Sequence, residues 1–180
     1  YIVFDKNKTI NLVINNKNVT SNLKNQVLIE NNTIYLSQSD IENFFDKHIY
    51  KEDETNEIIT TYGKKIAAIG FEKNSINING SDKEIYAHAI EKDGQVYLPI
   101  SEMKDVYDVE IRNIEKTKVV TMDSLDREQK KAIVTSNLSV KSSTNFLTKT
   151  VDRIKKGDSV IIISSDKGYT KIRTEKGKIG

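Results

Sequence analysis

Apolar and polar positions alternate along most of this chain with a period of two, in short runs separated by Asn, Gly and Asp. The pattern predicts strands over 48–51, 57–62, 65–71, 75–78, 109–112 and 118–122. A turn at Glu72-Lys73-Asn74 joins the third to the fourth, and polar turns at 52–56 and 113–117 precede the second and the last. The opening Tyr1-Ile2-Val3-Phe4 reads as a strand already inside a fold. Two stretches depart from this period. Ile41, Phe44 and Phe45 are spaced i, i+3, i+4, and so are Met103, Val106 and Tyr107; each set makes one apolar helix face that should be buried. Ser39 and Glu42 have capping-box spacing, which starts the first helix at Ser39, and Pro99 precedes the second.

The two helices belong to a repeat. Asn31-Asn32-Thr33-Ile34-Tyr35-Leu36 matches Asp93-Gly94-Gln95-Val96-Tyr97-Leu98 at an offset of 62 residues. At that offset Ile41, Phe44 and Phe45 fall on Met103, Val106 and Tyr107, Asp46 falls on Asp108, and Ile49 on Ile111. Ile14-Asn15-Asn16 echoes Ile78-Asn79-Gly80 with a small shift. Each copy, about 8–62 and 63–123, reads as turn, strand, helix and paired strands. A unit this small buries only about 60% of its unfolded surface and is marginal alone. The copies are therefore expected to pack into one α+β, mainly β domain over 1–123.

The segment Asp93-Gly94-Gln95-Val96-Tyr97-Leu98-Pro99-Ile100 resembles an element of the copper amine oxidase N-terminal-like domain, and the resemblance extends over residues 8–122. The first copy departs from it, with Ser37 where the second has Pro99. The family's name does not carry its chemistry here. Amine oxidase copper needs a His-x-His pair, a third His and a Tyr in an Asn-Tyr-Asp/Glu setting. This chain has only His48 and His88, which read as structural or surface residues, and no such Tyr motif.

Residues 124–131 are densely charged and read as a linker with a helical turn. Beyond them, strands at 138–141, 159–163 and 169–173 with turns at 156–158, 165–168 and 175–177 suggest a small β-barrel. Three segments, in order, resemble a bacterial SH3-like domain over 132–180. They are Leu138-Ser139-Val140-Lys141-Ser142, Ile154-Lys155-Lys156-Gly157-Asp158-Ser159-Val160, and Gly168-Tyr169-Thr170-Lys171-Ile172. The resemblance implies that Tyr169 either faces a groove for wall peptides or glycans or packs on the barrel. Lys155, Lys156, Lys171 and Arg173, with Lys176 and Lys178, supply a basic surface beside it. Gly177-Lys178-Ile179-Gly180 resembles the family's closing strand but stops before its aromatic, so the parent chain is expected to continue. In families carrying both modules, the continuation is often a wall-active enzyme such as a chitinase-like family 18 glycoside hydrolase or an amidase.

Charge sharpens the division. Residues 1–123 hold 15 Lys and Arg against 20 Asp and Glu, a net of −5, while 124–180 hold 13 against 6, a net of +7. A basic back module suits an anionic polymer. Nucleic acid is not expected, because no stacking aromatics interleave with the lysines. Cysteine is absent, which removes disulfides and thiolate metal sites. The longest apolar run, Val160-Ile161-Ile162-Ile163, has strand length and cannot span a membrane. No leader-like segment opens the chain, and an excised piece of a larger protein is expected.

No nucleophile elbow, phosphate loop or zinc-protease motif is present. The acidic clusters Glu52-Asp53-Glu54 and Asp105 with Asp108 fall in turns or on a helix face and read as solvated surface. A glycosidase needs two carboxyls across one walled cleft. The resulting expectation is a non-catalytic surface-targeting or scaffolding region of an exported bacterial protein, extracellular or cell-wall associated. No catalytic residue, metal or cofactor is assigned. The partners would be wall glycan, peptide or anionic wall polymer, and a downstream catalytic domain. The alternatives are a purely structural spacer and a glycan hydrolase in its own right.

Overall fold

The structure is a computed structural model that describes residues 9–145 and 147–180; the strand expected at 1–4 lies outside them. The architecture is mainly β. Along the chain, β1 (Asn11–Ile14) and β2 (Lys17–Asn18) form a first hairpin, and β3 (Leu28–Glu30) and β4 (Thr33–Ser37) a second. Helix α1 (Gln38–Phe44) leads into a meander of β5 (Tyr50–Glu52), β6 (Glu57–Tyr62), β7 (Lys65–Gly70), β8 (Ser75–Ile78) and β9 (Ser81–Glu84). A third hairpin, β10 (Ile90–Lys92) and β11 (Gln95–Leu98), runs through a 3-10 turn at Ile100–Glu102 into α2 (Lys104–Tyr107). Then come β12 (Val109–Ile114), β13 (Val119–Ser124), β14 (Lys130–Ile133), β15 (Leu138–Lys141), β16 (Thr150–Ile154), β17 (Ser159–Asp166) and β18 (Tyr169–Thr174).

Among the described residues six hairpins close on two-residue loops, at Asn15-Asn16, Asn31-Asn32, Gly63-Lys64, Asn79-Gly80, Asp93-Gly94 and Lys167-Gly168. Both loop residues have positive φ in all but the Gly63-Lys64 loop, where only Gly63 does; Asn31 and Asn32, for example, are at 50° and 64°. Paired left-handed residues are what a type I′ turn demands, and their twist matches that of the strands they join. Asn tolerates this backbone better than other side chains do, which is why Asn-Asn serves where Asn-Gly would be expected.

Contacts divide the chain into two compact units, Asn22–Val109 on the one hand and Tyr1–Ser21 with Glu110–Gly180 on the other. The expected division into 1–123 and 132–180 is not the one the contacts draw. The central unit holds two antiparallel sheets, of order β10-β11-β4-β3 and β5-β6-β7-β8-β9. Strand β4 pairs with β11 in the register Tyr97↔Ser37 and Leu98↔Leu36. Leu36, Ile41, Ile58, Ile69, Ile76 and Leu98 are completely enclosed, and each such side chain contributes about 1.5–3 kcal/mol of transfer free energy. Of the two helix faces, Ile41, Met103, Val106 and Tyr107 are buried, while Phe44 and Phe45 are only half-buried. Phe45 lies at the C-terminal cap of α1, where its ring stacks on Tyr107 with centroids 5.0 Å apart.

Two buried carboxylates pin loops in this unit. Helix α1 begins at Gln38, not Ser39, because Ser37 is the N-cap and accepts from the backbone N–H of Asp40 at 3.1 Å. The Asp40 carboxylate accepts from the Ser37 hydroxyl at 2.7 Å and from the backbone N–H groups of Lys24 and Asn25 at 2.7 and 3.1 Å. Asp46 accepts from the backbone N–H groups of His48 and Thr61 at 2.9 and 2.7 Å and from the Thr60 hydroxyl at 2.8 Å. Thr60 spends its one hydroxyl proton on Asp46, so the Tyr107 hydroxyl, 2.8 Å away, donates to Thr60.

The other unit is built from both ends of the chain. Its first sheet has the order β12-β13-β1-β2. Strands β1 and β13 run parallel, in register from Asn11↔Val119 to Ile14↔Met122. Parallel neighbours need a long crossover connection, and the whole central unit lies between them in sequence. Two smaller sheets, β14-β17-β18 and β15-β16, enclose a cluster of Val134, Val140, Ile154 and Val160.

Within the run 124–131, only residues 125–129 lie between strands. Strand β13 runs to Ser124, the backbone N–H of Arg127 closes a turn on the Ser124 carbonyl at 3.2 Å, and β14 starts at Lys130. The Thr117 hydroxyl donates to the Lys176 carbonyl at 2.7 Å. Gly177, at φ +77°, lies so close to Val119 that a Cβ would sit 2.6 Å from its Cγ1.

Candidate functional site

The residues singled out for binding lie in the unit formed by the two chain ends. Alternation along β18 puts Tyr169, Lys171 and Arg173 on one face and Thr170, Ile172 and Thr174 on the other. Ile172 packs on the Val134 cluster, so the Tyr169 face points away from that core. Tyr169 and Lys171 are exposed, the tyrosine by 59%. Arg173 is not a surface cation: only 6% of it is exposed. Its guanidinium donates to both carboxylate oxygens of Asp123 at 2.8 Å, and Nη1 also donates to Asn16 Oδ1 at 2.8 Å. Sequence reasoning placed Arg173 by its own strand and had no means of seeing that β13 and the β1–β2 turn cover it.

Lys155 and Lys156 are exposed in the turn between β16 and β17. Their backbone N–H groups donate to Asp158 Oδ2 at 2.8 Å and Asn137 Oδ1 at 3.0 Å, and neither residue lines the groove that Lys171 lines.

Tyr169 and Lys171 line a broad groove of about 2010 Å³. It is lined by residues of β1, the β1–β2 turn and β2, including Asn16, Lys17 and Asn18, and by residues of β15, β17 and β18. Among the described residues seven cations line it, and two carboxylates, Glu128 and Asp166. Besides Lys171 the cations include Lys17, Lys130, Lys141, Lys167 and Lys178. The two units differ in the same sense. The unit containing the groove carries 19 Lys and Arg against 10 Asp and Glu, a net of +9, and the central unit 9 against 16, a net of −7. The contrast is sharper than the division at residue 123 suggested. Like-signed charges around one concavity raise the local concentration of counter-ions.

Sequence reasoning missed Lys17 and the asparagines beside it. They stand more than a hundred residues before Lys171, and no local signal ties the two segments together. The groove offers ammonium groups, amides, hydroxyls and one exposed aromatic ring, and no histidine among the described lining residues. That set suits the holding of an anionic, hydroxyl-bearing chain.

Elsewhere the acidic clusters are accounted for. Asp105 accepts from the Lys83 ammonium at 2.6 Å, a bond that holds its carboxyl below the usual carboxylate range, and Asp108 pairs with Lys65. Glu52, Asp53 and Glu54 lie in and beside an open turn. His88 Nδ1 is bonded to the Ala89 carbonyl at 2.8 Å, and His48 is exposed. Among the described residues no three His, Cys, Asp or Glu side chains stand close enough to hold a metal ion, so the donor set does not fit a copper centre. No helix among the described residues is long and apolar enough to cross a membrane.

A family model described as the copper amine oxidase N-terminal domain matches residues 3–122. That is about two thirds of the 180 residues, and the chain belongs to this family. The matched segment begins before β1 and ends within β13, the two strands that pair in parallel. No curated protein and no solved structure matches the chain.

Proposed function

We propose that this chain is a non-catalytic binding region that attaches an exported bacterial protein to an anionic polymer of the cell wall, through the basic groove beside Tyr169 and Lys171. The observation that carries this reading is the charge of the groove: cations outnumber carboxylates along it, within a unit of net +9. In the same reading residues 132–180 form an SH3-like barrel, and 8–62 and 63–123 are copies of one duplicated element. A wall-active hydrolase, such as a family 18 glycoside hydrolase, is the downstream domain that such an attachment would serve.

The test is a pull-down on purified cell wall with the wild-type chain and two variants, with thermal unfolding measured beside it. Lys171→Ala should weaken retention without lowering the melting temperature, because its ammonium is solvated. Tyr169→Ala should weaken retention in the same way if the ring is a ligand platform. A lowered melting temperature with unchanged retention would instead assign the ring to packing. A wild-type chain that ignores the wall at low salt would replace this reading with that of a structural spacer.

A further inference from the structure

The groove has an unusual construction. Its lining draws on two segments separated in the chain by most of the sequence, one containing Asn16 and the other Lys171. The β1–β2 turn belongs to the segment that matches the family, and β18 lies outside it. What joins them is a polar cluster built on the buried Arg173–Asp123 pair. Arg173, on β18, bridges the two segments, with both nitrogens on Asp123 and Nη1 also on Asn16. Beside it, Asn15 donates from Nδ2 to the Ser124 hydroxyl at 3.0 Å, and the Ser124 backbone N–H returns a bond to Asn15 Oδ1 at 2.8 Å. The left-handed backbone at Asn15 and Asn16 turns both side chains toward these partners. Arg173 itself does not line the groove, and Asp123 does not either.

We infer that the binding site is a composite one, and that Arg173 is a positioning residue that sets its width by clamping the Asn16 turn to β18. Neither the family segment nor the C-terminal third contains the site alone. A guanidinium suits the task because its planar fork bonds a carboxylate with two parallel N–H groups and keeps a further donor for Asn16. Lysine, with a single ammonium, cannot hold all three oxygens in one plane. Lys17 follows Asn16 directly, so freeing the turn withdraws at least one cation from the lining. The inference rests on the proposed function for its ligand, but the clamp can be tested without any ligand.

Two measurements on the whole chain separate the possibilities. In the first, spin labels at positions 17 and 171 report the distance across the groove, in the wild-type background and with Asn16→Ala or Arg173→Lys. The clamp predicts one narrow distribution for the wild type and a broadened or longer one for both variants. Unchanged distributions in folded variants would overturn the clamp. In the second, long-chain inorganic polyphosphate is titrated at several salt concentrations. The logarithm of affinity for a linear polyanion falls with the logarithm of salt, with a slope that grows with the number of cations engaged.

Asn16→Ala should weaken polyphosphate binding about tenfold at low salt and reduce that slope, because the Lys17 segment no longer engages in register. A mere loss of folded protein would lower the amount bound and leave the slope alone, and that result would refute the positioning role. Should the wild type itself ignore polyphosphate while the distances behave as expected, the clamp stands and the polymer-binding reading fails.

Discussion

Replacing Asp123 by Asn is the most incisive perturbation of this fold. The side chains of Asp123 and Arg173 are 12% and 7% exposed, and both guanidinium bonds to the carboxylate are 2.8 Å long. The amide keeps the shape of the carboxylate but removes its charge, and one of its atoms becomes a donor facing a donor. The guanidinium is then buried without a counter-charge, which costs about 3–5 kcal/mol. A domain is stabilised by only about 5–15 kcal/mol in total. The loss should lower the melting temperature of this unit by at least about 10 °C, at roughly 4–8 °C per kcal/mol for a unit of this size. Replacing both partners by apolar groups, as Asp123→Leu with Arg173→Met, removes the uncompensated charge and should recover most of that loss. Urea unfolding followed by circular dichroism measures all three proteins, with an unchanged slope confirming the same transition. The reasoning fails if Asp123→Asn loses less than about 1 kcal/mol, or if the apolar pair is as unstable as the single variant.

Two other perturbations address the central unit. Burial, helped by the field of Asp46, pushes the Tyr107 hydroxyl well above its ordinary value of 10.0. A raised folded pKa means that its contribution to stability is complete below about pH 10 and is lost as pH rises beyond it. Tyr107→Phe should flatten that alkaline loss while costing about 1–2 kcal/mol at neutral pH for the lost hydrogen bond, both read from thermal unfolding at neutral and alkaline pH. Asp40→Ala should destabilise by about 3 kcal/mol or more, because it strips several donors of one buried acceptor. Glu42→Ala, on the exposed side of the same helix, should change stability by less than about 0.5 kcal/mol. Equal effects of the two in a denaturant titration would return the helix cap to Ser39.

Much of the strand pattern was legible because its signals are local. Residues 57–62, 75–78 and 138–141 are strands with the expected bounds, since period-two alternation and flanking turn residues specify them without reference to the rest of the chain. The start of α1 was misplaced by one residue for an equally local reason. Ser37-Gln38-Ser39-Asp40-Ile41-Glu42 carries the serine-to-acid spacing twice, and the choice between registers is made by Lys24 and Asn25, whose N–H groups need the Asp40 carboxylate. Phe44 and Phe45 were expected to be buried but lie at and just past the end of a two-turn helix, where the face is incomplete.

What the sequence could not convey was which distant segments meet. The parallel pairing of β1 with β13 has no signature in either strand, and the charged run 124–131 reads as a linker by composition alone. For the same reason Arg173 was counted among the surface cations, at an outward position on a polar strand. Its burial depends on Asp123 and Asn16, which stand 50 and 157 residues before it. The exposure of Tyr169 and Lys171 was legible because both face open solvent, where an outward position means what alternation says it means.

The central claim is that a basic groove attaches this chain to an anionic wall polymer. Its most direct test is retention of the whole chain on purified wall before and after chemical removal of the anionic polymer, from about 50 to about 200 mM salt. The account predicts retention on intact wall that falls steeply over that range as exposed charges are screened, and little retention on stripped wall at any salt. Equal retention on intact and stripped wall, insensitive to salt, would contradict it.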